Sequence, residues 1–358
     1  RVEILKVLMA GARILILVEP TAVLTDQEAA RLLDMVRGLA RGGAAVALVT
    51  HRMSDVKAYA DRVTVMRGGR SMRTVATDQA SVAELVQLTV GESLAVPADP
   101  PRTRRPEGPP RLMVRGLSSR APHGARAALG GVDLALHGGE IYGLAGVGGN
   151  GQSELAAALM GLDRDVSGEI VLQGHGDLKH MPNWRRRALR MAAIPADRYG
   201  LALAGPLSVA ENFGIGRVHE GRYGPAWRLD ARRLAGDAQQ AVEQFDVQGV
   251  RGVGQKAALL SGGNAQKLVL AREFGRQPSV VLAHSPSRGL DVRAGAEVHA
   301  RLRAARDAGA AVLLISEDLD EVLGLADRVG VMVRGRIVAE FEQPVDRQAI
   351  GQAMVDHG

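Results

Sequence analysis

The sequence repeats itself at a constant offset of 266 residues. The segment GAAVALVTH at 43–51 returns as GAAVLLISE at 309–317, and ADRVTVMRGGR at 60–70 returns as ADRVGVMVRGR at 326–336. The alignment needs no gap across roughly seventy positions, which chance does not produce. The repeat therefore predicts that the chain encodes one structural unit twice.

The two copies are unequal in extent. The second copy has an upstream part, residues 112–266, with no counterpart before the first copy. Because the chain also opens at Arg1 inside a helical pattern (Val2–Leu8), we expect a first domain that lacks its N-terminal portion. Six prolines in Pro97–Pro110 favour an extended linker between the copies. The expected parts are a partial first domain, a Pro/Arg-rich linker, a complete second domain and a tail, at 1–93, 94–111, 112–345 and 346–358.

Apolar patterning within the first copy predicts an α/β fold. Arg13–Val18 and Ala44–Thr50 are apolar runs of buried-strand length, and Gln27–Arg41 between them has apolar residues at helical spacing. Arg62–Met66 is a third predicted strand. Strand, helix and strand in this order favour parallel strands covered by helices.

Composition narrows the classes of partner. The net charge of +6 permits nucleic-acid contact, but aromatic residues make up only 3% of the chain, so base-stacking platforms are scarce. We therefore expect no nucleic-acid partner. Without cysteine, disulfides and thiolate metal sites are excluded. The run Arg185–Arg187 could touch a phosphate or a partner, but a charge run is usually a solvated face. Trp184 and Trp227 are expected to be packing residues rather than base-stacking ones.

A glycine-rich loop at Gly146–Ser153, GVGGNGQS, follows a strand pattern and enters a helical one. Glycines allow backbone N–H groups to approach phosphates, and a helix N-terminus favours negative charge. The loop has the spacing GxxxxGK[ST], with Gln152 in place of lysine. It also fits the dinucleotide fingerprint GxGxxG, although the next strand pattern ends in Gln173 rather than an acidic residue. A plain glycine turn is the third interpretation.

A second phosphate-type turn, LSGGNAQK, occupies Leu260–Lys267. A Ser-Gly-Gly turn entering a helix offers further N–H groups to a terminal phosphate. The helix pattern and the predicted strand Val280–Ala283 follow it. In this position relative to Gly146 and Asp291, the turn resembles the signature motif of ABC ATPases.

From Arg1 to about Phe341 the chain resembles the tandem ATP-binding subunits of the simple-sugar and nucleoside group of ABC importers. The resemblance also rests on EPTAVLT at 19–25, GNGQSE at 149–154, SRGLD at 287–291 and SEDLDE at 316–321. GNGQSE and SEDLDE resemble the nucleoside branch in particular. The resemblance implies a P-loop ATPase fold of α/β class, with a mainly parallel sheet, a helical subdomain around 205–275, and one partial plus one complete copy.

The resemblance also implies site residues and cofactors. Two ATP molecules with Mg²⁺ lie between the domains, each held by one domain's Walker A loop and the other domain's signature. Glu19 would orient the attacking water and His51 would contact the γ-phosphate. The nucleotide-binding residues of the second domain would be Gly146, Gly148, Gly149, Asn150, Gly151, Gln152, Ser153, Ser261, Gly262, Gly263 and Asn264, with Ser153 also reaching the metal.

Several positions depart from the family pattern. Val18 stands at the Walker B aspartate position of the first copy. In the second copy, Gln152, His284, Ser285 and Glu317 replace the lysine, the aspartate, the glutamate and the switch histidine. We therefore expect hydrolysis at one composite site, with the second domain degenerate and this chain inactive alone. Whether the second site binds nucleotide stays open.

The implied activity is ATP-driven solute import. Transmembrane permease subunits would be direct partners, and an extracellular solute-binding protein an indirect one. The expected location is the cytoplasmic face of the cell membrane. Two alternatives stay open: a soluble tandem ABC protein acting on ribosomes, and a non-catalytic remnant of a truncated gene.

Overall fold

The computed structural model describes residues 12–18, 20–21, 26–50, 52–67, 69–81, 84–85, 88, 108–119, 128–163, 165–225 and 227–356. They belong to two compact units, which are Arg1–Pro97 with Gly289–Ala296, and Ala98–Arg288 with Glu297–Gly358. The predicted helix at Val2–Leu8, most of the linker, Glu19 and His51 lie outside the described residues.

The first unit begins with a strand–helix–strand arrangement. Strands β1 (Ile14–Val18) and β2 (Ala45–Val49) pair in parallel, and helix α1 (Asp26–Arg41) connects them. Helix α2 (Met53–Tyr59) leads to β3 (Arg62–Arg67). Among the described residues β3 pairs with β4, which runs antiparallel to it. The expected parallel pairing therefore holds for the first two strands, whereas the third forms a hairpin with β4 (Arg70–Ala76).

The second unit contains two sheets and a group of helices. Its elements up to the helical part are β5 (Leu112–Ser119), β6 (Gly130–Leu136), β7 (Glu140–Ala145), α3 (Gln152–Met160), β8 (Val166–Leu172), β9 (Gly176–Asp177), α4 (Asn183–Ala188) and β10 (Met191–Ile194). The remaining elements are α5 (Val209–Gly214), α6 (Ala231–Gln244), α7 (Gly262–Phe274), β11 (Val280–His284), α8 (Val292–Asp307, of which the first five residues fall in the first unit), β12 (Ala311–Ser316), α9 (Leu319–Leu325), β13 (Arg328–Val333), β14 (Arg336–Glu342) and α10 (Arg347–Asp356).

The larger sheet has the strand order β10-β11-β12-β7-β13-β14 and is parallel except for the β13–β14 hairpin. Strands β7, β12 and β13 are buried along their whole length, as expected for parallel strands covered on both faces. A second sheet, β6-β5-β8-β9, is antiparallel and is not predicted by the sequence patterns above. Helices α5, α6 and α7 lie in the segment where helices are expected. No helix in the described ranges is long and apolar enough to cross a bilayer.

The elements of the first unit return in the second at the sequence offset of 266. Strands β1, β2, β3 and β4 correspond to β11, β12, β13 and β14, and helices α1 and α2 correspond to α8 and α9. Their bounds match residue for residue, except that β12 is one residue longer than β2. The register irregularity between Val65 and Met66 also returns, between Val331 and Met332. The repeated sequence therefore encodes a repeated local geometry.

Arg186 is a buried cation that holds the C-terminal end of α3. Its guanidinium donates hydrogen bonds of 2.7–3.0 Å to the carbonyls of Met181, Ala158, Leu159, Leu178 and Lys179. The Ala158 and Leu159 carbonyls lie in the last turn of α3, where carbonyls lack the N–H donor that a following helical turn would supply. Burial lowers the pKa of Arg186 to about 10, so the group stays charged at neutral pH.

Two expectations about this region are wrong. Arg186 is buried and Arg187 pairs with the buried Glu273 at 2.7 Å, so of the arginine run only Arg185 lies on a solvated face. Trp184 and Trp227 do not pack inside, because they are 48% and 82% exposed. A run of arginines in the sequence does not reveal which of them will lie beside unpaired carbonyls in the fold.

We expect Arg186→Ala to lower the free energy of unfolding by about 3 kcal/mol or more, because several buried carbonyls lose their donor at once. Urea denaturation followed by tryptophan fluorescence measures the change. Arg185→Ala, at the exposed neighbouring position, is the control and should stay within about 0.5 kcal/mol of the parent. Equal effects of the two substitutions would contradict the role assigned to Arg186.

Candidate functional site

The glycine loop joins the middle of the larger sheet to a helix. It follows β7, and its last glycine, Gly151, is the N-cap of α3. Gly149 and Gly151 have φ values of 87° and 108°, a backbone region that side-chain-bearing residues rarely adopt. Of the predicted site residues, Gly146, Gly148, Gly149, Asn150 and Gly151 form this loop, and Gln152 and Ser153 open the helix. The arrangement is a phosphate-type turn at a helix N-terminus.

Gln152 occupies the interior of the loop. Its Oε1 accepts a hydrogen bond from the Asn150 N–H at 3.0 Å, and its Nε2 donates to the Val147 carbonyl at 3.1 Å. The side chain is buried, and a Cβ at Gly146 would lie 2.5 Å from Nε2. A neutral amide therefore stands where a lysine would supply a cation, and hydrogen bonds to charged groups are worth roughly 1.5–3 kcal/mol against about 1 for neutral ones.

Asn150 connects the loop to a neighbouring hairpin turn by hydrogen bonds. Its carbonyl accepts from the Gly335 N–H at 2.8 Å, and its Oδ1 accepts from the Arg334 N–H at 3.0 Å. Both donors belong to the turn between β13 and β14, so the hairpin turn and the glycine loop form one hydrogen-bonded piece.

The ends of two neighbouring strands place further side chains at the same edge of the sheet. His284 ends β11, and Glu317 follows β12. Burial and the nearby Arg288 lower the pKa of His284 to about 4, so the ring is neutral at pH 7. The Oε1 atom of Glu317 lies 2.5 Å from the position that a Cβ at Gly148 would take. The described side chains at this edge thus bring a carboxylate, but no lysine, to the loop.

Metal binding would depend on the nucleotide. The described residues contain no group of three or more His, Asp or Glu side chains that could hold an ion. Ser153, exposed in the first turn of α3, offers one hydroxyl. Mg²⁺ commonly takes few protein ligands together with phosphate oxygens and waters, so Ser153 fits that role beside a bound phosphate.

The second phosphate-type turn opens α7. Ser261 is the N-cap, and Gly262, Gly263 and Asn264 form the first turn. The Asn264 Nδ2 donates to the Ser261 Oγ at 2.9 Å, and its Oδ1 accepts from the Gln248 N–H at 2.7 Å. In the described part of the chain, no hydrogen bond joins this turn to the glycine loop.

Two residues that the sequence patterns did not single out hold this turn in place. Arg198 donates to the carbonyl of Gly262 at 2.7 Å and to that of Arg288 at 2.5 Å. The Tyr199 hydroxyl donates to the Leu260 carbonyl at 3.2 Å. The Asp197 side chain accepts hydrogen bonds from the backbone N–H groups of Tyr199 and Gly200, and these bonds fix the segment that carries Arg198 and Tyr199. An Asp-Arg pair that begins three residues after the end of strand β10 is the signal that could have revealed them.

Comparison with known proteins agrees with this geometry. The sequence profile of the ABC transporter family matches residues 129–288, which include the glycine loop and the Ser-Gly-Gly turn. The nucleoside import ATP-binding protein NupA of Lactococcus lactis subsp. cremoris is 37% identical over 99% of this chain and 69% of its own length. The chain belongs to the ABC transporter ATP-binding family. Members of this family bind ATP with Mg²⁺ and hydrolyse it.

Other relatives extend the comparison. The glucose import ATP-binding protein TsgD13 of Haloferax volcanii is 40% identical over the whole chain, which covers 65% of that protein. The chain thus spans about two thirds of the length of these relatives. A dimeric ATP-binding cassette solved with ADP and phosphate matches with a TM-score of 0.55 and 18% identity, over 66% of this chain and 100% of that one. At that identity the match shows the shared ABC fold.

In the first unit of this ABC protein, a buried pair joins the segments that follow β1 and β2. The Thr21 hydroxyl donates to Asp55 Oδ2 at 2.7 Å, and both residues are buried. Glu19 and His51 fall in these two segments but lie outside the described residues, so their roles stay predictions. Val18, at the end of β1, is 67% exposed.

We expect Arg198→Ala to speed amide exchange at Ala265 and Gln266 by about 10-fold or more, because the signature turn loses a hydrogen bond from a charged donor. Hydrogen exchange with mass spectrometry measures the rates, and thermal unfolding should change little. Arg232→Ala, on the exposed face of α6, serves as the control. Unchanged exchange at these two amides in Arg198→Ala would contradict the anchoring role.

Proposed function

We propose that the chain is part of the ATP-binding subunit of an importer for simple sugars or nucleosides, with ATP hydrolysed at one composite site. The observation that carries the proposal is the contrast within the second unit. Its signature turn is intact and anchored by Arg198, whereas its glycine loop has a neutral Gln152 and faces the Glu317 carboxylate. The names of the relatives, which import glucose and nucleosides, support the solute class.

The composite site uses different parts of the two domains. The N–H groups at the start of α7 face an ATP held by the first domain. Glu19 orients the attacking water, and His51 contacts the γ-phosphate. The Val18 side chain has no oxygen that could hold a magnesium-bound water. The metal is therefore positioned less well than it would be with an aspartate at this place. The second glycine loop takes no part in hydrolysis.

An exposed apolar patch supports a permease as the direct partner. Leu201, Leu207 and Leu259 are 58%, 39% and 73% exposed, and the Ala258 N–H donates to the Gly205 carbonyl, so their two segments lie side by side. Exposed apolar patches mark interaction sites in soluble domains. We assign this patch to a permease segment at the cytoplasmic face of the membrane, with the extracellular solute-binding protein engaged only through the permease.

We expect Leu201→Asp with Leu259→Asp to reduce capture of the tagged permease by the intact subunit at least tenfold, because a charge replaces apolar contact at each position. Pull-down from detergent extracts measures capture, with Leu162→Asp, at another exposed leucine, as the control. Full capture of the permease by the double variant would show that this patch is not part of the interface. Co-sedimentation of the parent with ribosomes, without permease capture, would favour the ribosomal alternative.

ATP turnover by the intact subunit, reconstituted with its permease, tests whether only one of the two sites hydrolyses ATP. We expect Glu19→Gln to lower ATP turnover by about 10²–10⁴-fold, because the water loses its orienting base. Gly262→Asp should have a similar effect, since it adds a side chain and a negative charge beside the γ-phosphate. Val18→Asp should raise turnover by improving the position of magnesium.

The matched control is Ser285→Ala, at the position of the second copy that corresponds to Glu19. Because the second site already lacks a base, this change should leave turnover nearly unaltered. Equal losses from Glu19→Gln and Ser285→Ala would show that both sites hydrolyse ATP and would overturn the proposal.

A further inference from the structure

The glycine loop of the second unit keeps the backbone features that bind phosphate. It has two glycines in the left-handed region, a nine-residue helix that begins at its end, and the exposed Ser153 hydroxyl. It also lies within the part of the chain that the family profile matches. These backbone features do not distinguish a short phosphate chain from a long one. Any preference for one chain length must therefore come from the side chains around the loop.

Glu317 is a charged side chain that lies against the loop. A Cβ at Gly148 would lie 2.5 Å from its Oε1 atom and 3.1 Å from its Cδ atom, so the carboxylate rests directly on the glycine backbone. The absence of a side chain at Gly148 leaves this space for the carboxylate. A carboxylate is therefore already present beside the backbone of Gly148.

Within the loop, residues 146–153, no side chain carries a positive charge that could offset Glu317. Gln152 is neutral, and both of its polar atoms are engaged, with the Asn150 N–H and the Val147 carbonyl. His284 is neutral at pH 7 because burial and Arg288 lower its pKa to about 4. Like charges a few ångströms apart repel one another, and each added phosphate group increases the repulsion from Glu317.

We propose that the second glycine loop binds nucleoside diphosphates in preference to triphosphates, with the Glu317 carboxylate standing in the space of a third phosphate. The proposal deepens the proposed function and rests on it, because it takes the loop to be a nucleotide site. Ser153 and the N–H groups at the start of α3 hold the diphosphate, and Gln152, engaged within the loop, adds no charge. The Glu317 carboxylate then stands next to the two phosphates, in the place that the third phosphate of a triphosphate would take.

Binding of Mg-ADP and Mg-ATP to the purified chain, measured by isothermal titration calorimetry, tests the proposal. We expect the parent to bind ADP at least tenfold more tightly than ATP. Glu317→Gln should remove most of that preference by strengthening ATP binding, because the repulsive charge is lost while the shape is kept. Gln152→Lys should strengthen binding of both nucleotides and leave a preference for ADP.

Glu342→Gln, at an exposed carboxylate on β14, is the matched control and should leave both affinities unchanged. Circular dichroism confirms that each variant is folded. Tighter or equal binding of ATP by the parent, a preference unaffected by Glu317→Gln, or no binding of either nucleotide at millimolar concentration would each overturn the proposal. Failure of the proposed function would appear separately, as turnover in the intact subunit that does not depend on Glu19.

Discussion

Parallel pairing of β7 with β12 and of β12 with β11 is the constraint on which the rest of the second unit depends. In this register Ala145 lies opposite Ser316, and Ile315 lies opposite His284, so three chain segments leave the sheet at one edge. The glycine loop, the His284–Ser285 turn and Glu317 meet there for that reason. Because parallel strands need crossover connections, residues far apart in sequence supply the three segments.

The helices and strands of the repeat could be predicted from sequence because their apolar residues follow a clear period. The predicted bounds Arg13–Val18, Gln27–Arg41 and Ala44–Thr50 differ from those of the observed elements by at most one residue at each end. The antiparallel sheet of β5, β6, β8 and β9 escaped prediction because apolar patterns do not reveal which strands pair antiparallel; β5 and β8 pair although β6, β7 and α3 lie between them in sequence. The hairpin partner of β3 escaped for the same reason.

The candidate site was predictable where backbone chemistry dictates the residue type, and much less so where the fold decides the partner. The glycines at 146–151 and the turn at 261–263 stand out because clustered glycines at a helix start let backbone N–H groups approach a phosphate closely. Arg186 and Arg198 could not be separated from solvated arginines, since their acceptors are carbonyls brought close only by folding. The contact of Glu317 with Gly148 likewise depends on the sheet register.

The two phosphate-type turns of the second unit are fixed by separate sets of hydrogen bonds. Arg198, Tyr199 and Gln266 hold the signature turn, the last through a buried bond to the Pro286 carbonyl, while Gln152 and Asn150 hold the glycine loop. Substitutions in one set leave the supports of the other in place. If the proposed composite site is right, the glycine loop of such a domain can lose its chemistry over evolutionary time without disturbing the signature turn that serves the neighbouring domain.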